Sequence, residues 1–207
     1  MRGLFITFEG PEGAGKSTQI TLLAEKLRAE GHQVCLTREP GGTAGGEAVR
    51  AALLNPEANW SSLAEALLMN AARDAHLREV ILPALDRGEI VLCDRFADST
   101  LAYQVGGGGL DPDIATSLEN IVCTHMPDLT LVFDLSPEIG LERASARGVA
   151  DRFEAKGNAY HEYVAKAFRT IAEKTERCVL IDATGNIEDV AKRVQTNFYQ
   201  FMENKQS

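Results

Sequence analysis

Two apolar rhythms alternate along the chain. Five short runs carry consecutive bulky or β-branched residues: "LFITF" (4–8), "QVCLT" (33–37), "IVLCD" (90–94), "LTLVFDL" (129–135) and "CVLID" (178–182). Continuous apolarity over so short a run predicts strands buried on both faces, as in a parallel sheet. Between the runs, apolar positions fall at helical spacing. From Lys16 to Glu30, Ile20, Leu23, Ala24 and Leu27 form one stripe, and Gly31 is a suitable C-terminal stop. From Ser61 to about Leu82, a second stripe of Ala64, Leu67, Leu68, Ala71 and Ala75 ends near Pro83. Further helices are predicted near 111–124, 137–146, 158–175 and 187–203. This alternation predicts an α/β fold, a doubly wound five-stranded parallel sheet with helices on both faces. Ligands in such sheets sit beyond the carboxyl ends of the strands, so chemistry is to be sought just after each run.

Length and composition narrow the picture. The 207 residues suit one well-buried domain, residues 1–207, and the glycine-rich breaks at 41–46, 106–109 and 148 read as loops within it. With 21 basic against 30 acidic residues, the net charge of −9 argues against nucleic acid or an anionic membrane as a partner. A local cluster of arginines can still hold a small anionic ligand. The cysteines Cys35, Cys93, Cys123 and Cys178 lack metal-ligand spacing, and three lie in strand-like runs. They read as free, buried thiols of a reducing compartment. The chain enters a strand at once and holds no apolar run long enough to span a bilayer, so the expected location is the cytoplasm.

The strongest chemical signal follows the first strand. "GPEGAGKS" fits G-x-x-x-x-G-K-[ST], with a strand before it and a helix after it. In such a phosphate-binding loop (P-loop), backbone N–H groups turn inward around phosphate oxygens, and the helix N-terminus adds positive potential. The loop Gly10, Pro11, Glu12, Gly13, Ala14, Gly15, Lys16, Ser17 and Thr18 is therefore the candidate ATP site. Lys16 is placed to reach the β- and γ-phosphates and Ser17 to hold Mg²⁺. A GTPase would also carry N-K-x-D after a strand. Here the only "NK" is Asn204-Lys205 in the tail, and "DATG" (182–185) follows the last strand, where no switch region belongs.

Three further stretches stand after strands or on the long helix: "LTREPGGT" (36–43), "LCDRFADSTLAYQ" (92–104) and "LLMNAARDAH" (67–76). Together with "FEGPEGAGKST" they resemble the bacterial thymidylate kinases, P-loop nucleoside monophosphate kinases, from about Leu4 to Asp182. The resemblance implies conversion of dTMP and ATP to dTDP and ADP with Mg²⁺, in a homodimer. It assigns Asp94 to the metal alongside Ser17. It assigns Arg38, Arg50, Arg73 and Arg95 to phosphate, Thr100, Tyr103 and Gln104 to the base and sugar, Glu12 to the acceptor sugar or the metal, and Met69 to the base face. Chemistry agrees: the acceptor phosphate is already a nucleophile, so charge screening and alignment matter more than a strong base. Arginine forks suit that task, though each of these arginines also has a reading as a surface or intramolecular salt-bridge residue. Met69 and Arg73, four residues apart, share one helical face about 6 Å apart along the axis. Gln104 carries an amide complementary to thymine N3–H and O4. Two positions depart from the family pattern. Met69 stands where an aromatic is usual, and "VGGGG" (105–109) lacks the usual arginine.

The acceptor-binding region is expected at about 39–82 and a lid at about 141–157. In "LERASARGVADRFE" (141–154), Arg143 and Arg147 share a helical face and Arg152 follows Gly148. These three read either as a solvated helix end or as lid cations that close over the transferring phosphoryl group. "DATGN" (182–186) borders adenine by resemblance. Two other functions stay open from the residues alone. A deoxynucleoside kinase would use a carboxylate base, for which Glu39 stands near. A nucleotide-binding module without turnover would not need Lys16, Ser17, Asp94 and Arg95 together.

Overall fold

The apolar runs form five parallel strands in a computed structural model that describes residues 2–146 and 152–206. They are β1 (Leu4–Glu9), β2 (Val34–Arg38), β3 (Ile90–Asp94), β4 (Leu129–Asp134) and β5 (Cys178–Asp182), in the order β2-β3-β1-β4-β5. The helices are α1 (Lys16–Ala29), α2 (Ala44–Leu54), α3 (Ser62–His76), α4 (Leu82–Asp86), α5 (Ala97–Thr100), α6 (Pro112–Val122), α7 (Pro137–Ser145), α8 (Asn158–Lys174) and α9 (Ile187–Gln206). β1 lies between β3 and β4: the chain goes out to β2 at one edge, returns to β3, then crosses β1 to β4 and β5 on the other side. The crevice of a doubly wound sheet opens at this switch point. Register aligns the strand ends there: Asp94 stands opposite both Phe8 and Arg38. The loops after β1, β2 and β3 therefore emerge side by side.

Both sheet faces are covered. Ile6, Phe8, Leu92, Leu131 and Phe133 pack on Leu23 and Leu27 of α1 and on Val194 and Phe198 of α9. On the other face, Phe5, Val91 and Cys93 meet Leu77, Ile81, Leu85 and Phe96, while Val132 meets Val164 and Phe168 of α8. Burying one such side chain contributes about 1.5–3 kcal/mol. Cys93 and Cys178 are buried, Cys35 and Cys123 half-buried, and all four are free. Among the described residues, no helix is long and apolar enough to cross a membrane.

The helix expected to end near Pro83 runs further. After α3 the backbone widens into a π-helical turn, Leu77–Ile81, and continues as α4 through Asp86. Pro83 stands at the start of α4, directly after the widened π-helical turn. A second π segment, Leu101–Gly107, follows α5 and contains Tyr103 and Gln104. Such widened turns are frequent at functional sites. Side-chain caps close several helices: the Thr43 hydroxyl accepts from Gly46 N–H, and Ser61 from Ala64 N–H. Helix α1 starts instead on left-handed Gly15, with no side-chain cap and no acid in its first turn. Its leading amides are left for another acceptor.

Candidate active site

The P-loop lies at the carboxyl end of β1, seated against α7. A Cβ on Gly13 would stand 1.9 Å from the carbonyl oxygen of Gly140, so only glycine permits this approach. The buried Lys16 folds back over the loop, donating to the carbonyls of Gly10 (3.0 Å) and Pro11 (2.8 Å). Burial, with Arg95 nearby, pulls its pKa down to about 8. A phosphate entering the loop offers this ammonium a stronger, anionic acceptor than two carbonyls.

Asp94 and Ser17 meet as the motif predicts. The Ser17 hydroxyl donates to Asp94 Oδ2 at 2.8 Å, while Asp94 Oδ1 is buried without a hydrogen-bond partner among the described residues. An orphaned carboxylate oxygen beside a hydroxyl and a phosphate loop fits Mg²⁺, which takes few protein oxygens and completes its shell with phosphates and water. No group of three His, Cys, Asp or Glu side chains able to hold a metal occurs among the described residues, so no separate protein-only cage competes with this pair.

Arg95 adopts a positive φ of 71°, unusual for a side-chain-bearing residue, which turns it back toward the loop. Its Nη1 donates to the Gly10 carbonyl (3.0 Å) and its Nη2 to Glu12 Oε1 (2.7 Å). Lys16 and Arg95 thus converge on one carbonyl. The same Glu12 oxygen accepts from the Tyr103 hydroxyl at 2.9 Å, and the Arg95 guanidinium lies over the Tyr103 ring, 4.9 Å from its centroid. Behind Arg95, the buried Glu9 accepts from Phe96 N–H and from the Ser99 hydroxyl, which also meets Arg95 Nη1. Burial and neighbouring Asp98 push the Glu9 carboxyl up to about 8.

From the P-loop a cavity of about 520 Å³ runs to Met69 and Gln104, lined also by Arg38, Glu39, Arg50, Tyr103 and Phe153. A second cavity, about 480 Å³, lies between Gly13–Gly15, Thr18, Arg143 and the loop at Ala183–Asn186. The predicted arginines divide between these places and the interior. Arg50 lines the first cavity, donating to the Pro40 carbonyl, and Arg38 lines it while held by both oxygens of Glu47. Arg73 is only 2% exposed and does not reach the cavity wall. It donates to Glu39 Oε2 (2.8 Å), Asn70 and Thr100, and packs on Phe96. Its hydrogen bond to the Thr100 hydroxyl holds that side chain inward too. Glu39 is also paired with His76, so the carboxylate that would serve as a base is engaged on both oxygens. Arg152 is not at the phosphate rim: its Nε donates to the Leu53 carbonyl and its Nη2 stands 2.7 Å from Glu65 Oε1. Arg143 is exposed beside the second cavity, and Arg147 lies outside the described residues.

Glu9, Ser99, Glu39 and Glu65 carry more of the site's order than their local patterns indicate. Glu39 belongs to "REPGG" and Ser99 to "DRFADS", so a motif marks each. Glu9 lies in "FEGPEGAGKST" but ahead of the P-loop pattern itself, and Glu65 reads only as a polar position on a helix. Glycines 106 and 107 have a packing cause. Cβ atoms there would stand 2.6 Å from Ala167 and 2.5 Å from the Tyr160 ring, so α8 presses directly on the segment that carries Gln104.

Comparison with known proteins places the chain among characterised sequences and folds. The thymidylate kinase family model matches residues 8–194. A thymidylate kinase of Caulobacter vibrioides is 51% identical over 196 residues, covering 93% of this chain and 94% of the relative. One from Pseudomonas syringae pv. syringae is 54% identical over 207 residues, covering 98% of each. The crystal structure of a thymidylate kinase from Ehrlichia chaffeensis superposes with a TM-score of 0.79 at 36% identity, covering 96% of this chain and all of that one. With the family model matched over residues 8–194 and relatives of 51% and 54% identity matched along nearly their whole length, the chain belongs to the thymidylate kinase family.

Proposed function

We propose that the protein transfers the γ-phosphoryl group of ATP to dTMP, giving dTDP and ADP. The observation that carries this reading is the cavity joining the P-loop to Met69 and Gln104, with Lys16 and Arg95 converging at its phosphate end. ATP enters by the second cavity, its adenine against the loop at Ala183–Asn186 and its phosphates in the Gly10–Thr18 cradle. The dTMP base lies toward Met69 and Gln104, with Tyr103 under the sugar and Arg50 and Arg38 beside its phosphate.

An oxygen of the dTMP phosphate attacks the γ-phosphorus, the bond from that phosphorus to the β,γ-bridging oxygen breaks, and ADP leaves. The nucleophile is already anionic, so the side chains supply alignment and positive charge rather than proton removal. Lys16 exchanges its carbonyl partners for donor phosphate oxygens. Arg95, steadied by Glu12 and Ser99, spans donor and acceptor phosphates. Arg143 flanks the donor side, in the region 141–157 read as a lid over an acceptor-binding region at 39–82. Ser17 and Asp94 would hold Mg²⁺, which when bound screens the charge of the ATP phosphates. Tyr103 leaves little room for a ribose 2′-hydroxyl, and its own hydroxyl is occupied by Glu12.

In this reading the protein acts as a homodimer in the cytoplasm, where its four free thiols stay reduced. Apolar side chains exposed on α3 and α6 (Leu63, Leu67, Ile114 and Ile121) support the dimer. The test is an acceptor screen with ATP and Mg²⁺ across dTMP, dUMP, dCMP, dGMP, AMP and thymidine. Release of ADP that depends on dTMP is expected. Turnover of thymidine alone would indicate a nucleoside kinase, and no turnover with any acceptor would indicate a binding module.

A further inference from the structure

Gln104 is fully buried, and its two amide ends have different fates. Nε2 donates to Glu65 Oε2 at 2.9 Å. Oε1 is buried with no hydrogen-bond partner among the described residues, on a side chain that lines the acceptor cavity. An amide is nearly symmetric in shape, so something must decide which end faces the cavity. Glu65 decides it. It is only 2% exposed, and its other oxygen, Oε1, stands 2.7 Å from Arg152 Nη2. A carboxylate held by a guanidinium can only accept hydrogen bonds. Were Gln104 turned over, its carbonyl oxygen would face a carboxylate, and two buried acceptors would stand together.

We infer that Glu65 is a positioning residue for base selection: it locks the Gln104 amide so that its oxygen is the atom turned toward the acceptor base. An oxygen there requires an N–H from the ligand. Thymine and uracil carry a hydrogen on N3, whereas cytosine has a lone pair at that position and would meet Gln104 acceptor to acceptor. A site built to bond a ligand hydrogen strongly rejects an analogue lacking it, because its own buried group is then left unpaired. Helix α3 thus contributes to specificity through a residue that does not line the cavity. The inference rests on the reading of the cavity as the dTMP site, and deepens it.

The test is the ratio of kcat/KM for dTMP over dCMP in Glu65→Gln and in the reciprocal variant Glu65→Gln/Gln104→Glu. In Glu65→Gln, residue 65 can donate as well as accept, so Gln104 is free to turn over. The ratio should fall by about tenfold or more, with the dTMP loss in its KM rather than in kcat. In the reciprocal variant the new amide at position 65 donates to a carboxylate at position 104, an acceptor again faces the base, and the preference should return. An unchanged ratio in Glu65→Gln overturns the inference. If Glu65→Gln does not fold, the reciprocal variant alone decides: loss of the dTMP preference there means that a donor, not an acceptor, reads the base. Failure of the underlying reading looks different. Wild-type enzyme would then not turn over dTMP, or Gln104→Ala would leave the dTMP KM unchanged.

Discussion

Lys16 shows how a single residue ties function to pH. Buried and near Arg95, it has its pKa drawn down to about 8, so it is charged below that pH and neutral above it. A neutral amine cannot bind phosphate as a cation. kcat/KM for ATP, which reports the free enzyme, should therefore fall about tenfold per unit once pH rises past the pKa of Lys16. Bound phosphates favour the charged form, so the decline in kcat should begin at higher pH. A kcat/KM profile that stays flat to about pH 10 would contradict this. Met69 makes a second residue-scale case. Methionine gives the base a polarizable contact without a flat face. Met69→Phe should tighten dTMP by about twofold to tenfold, given about 0.5–1.5 kcal/mol for an aromatic pair, as measured by calorimetry. Equal or weaker binding would remove stacking at that position.

At the scale of elements, the stretch from α7 onward serves two places. Arg143, on α7, borders the donor cavity, while Arg152 is inserted between α2 and α3. The two substitutions should separate accordingly. Arg143→Ala should impair the use of ATP and leave the dTMP KM unchanged. Arg152→Ala leaves Glu65 Oε1 without its cation, and breaking so buried a pair costs about 3–5 kcal/mol, which urea unfolding would detect. Equal stability of Arg152→Ala and the wild type would mean that Glu65 finds another donor. The helix spacing of Arg143 and Arg147 is plain from the chain. The destination of Arg152 is not, because its partners are 99 and 87 positions away in sequence.

Across the whole molecule, α3 has one side toward the acceptor cavity and another toward solvent. Met69 lines the cavity, while Leu67 and, on neighbouring α6, Ile121 are 50% and 75% exposed. A dimer seam there would brace the helix that carries Met69, Glu65 and Arg73. Sedimentation velocity should show two chains for the wild type, and one for a Leu67→Glu/Ile121→Glu variant. A wild type that sediments as one chain would refute the seam.

The strand runs, their helical intervals and the P-loop were determined by the sequence alone. Each depends on local periodicity, or on backbone geometry that only glycine permits. Asp94 and Arg95 were picked out through the family resemblance, at a strand end where sheets of this kind place their ligands. The fate of a polar side chain was decided only by tertiary structure. Arg73 and Arg50 look alike in the chain, yet one is sealed against Glu39 and Phe96 while the other lines the cavity. Glu65 could be any polar helix position until Gln104 and Arg152 meet it. A buried charge is settled by whichever partner the fold brings within about 3 Å, and that partner leaves no trace in the local pattern.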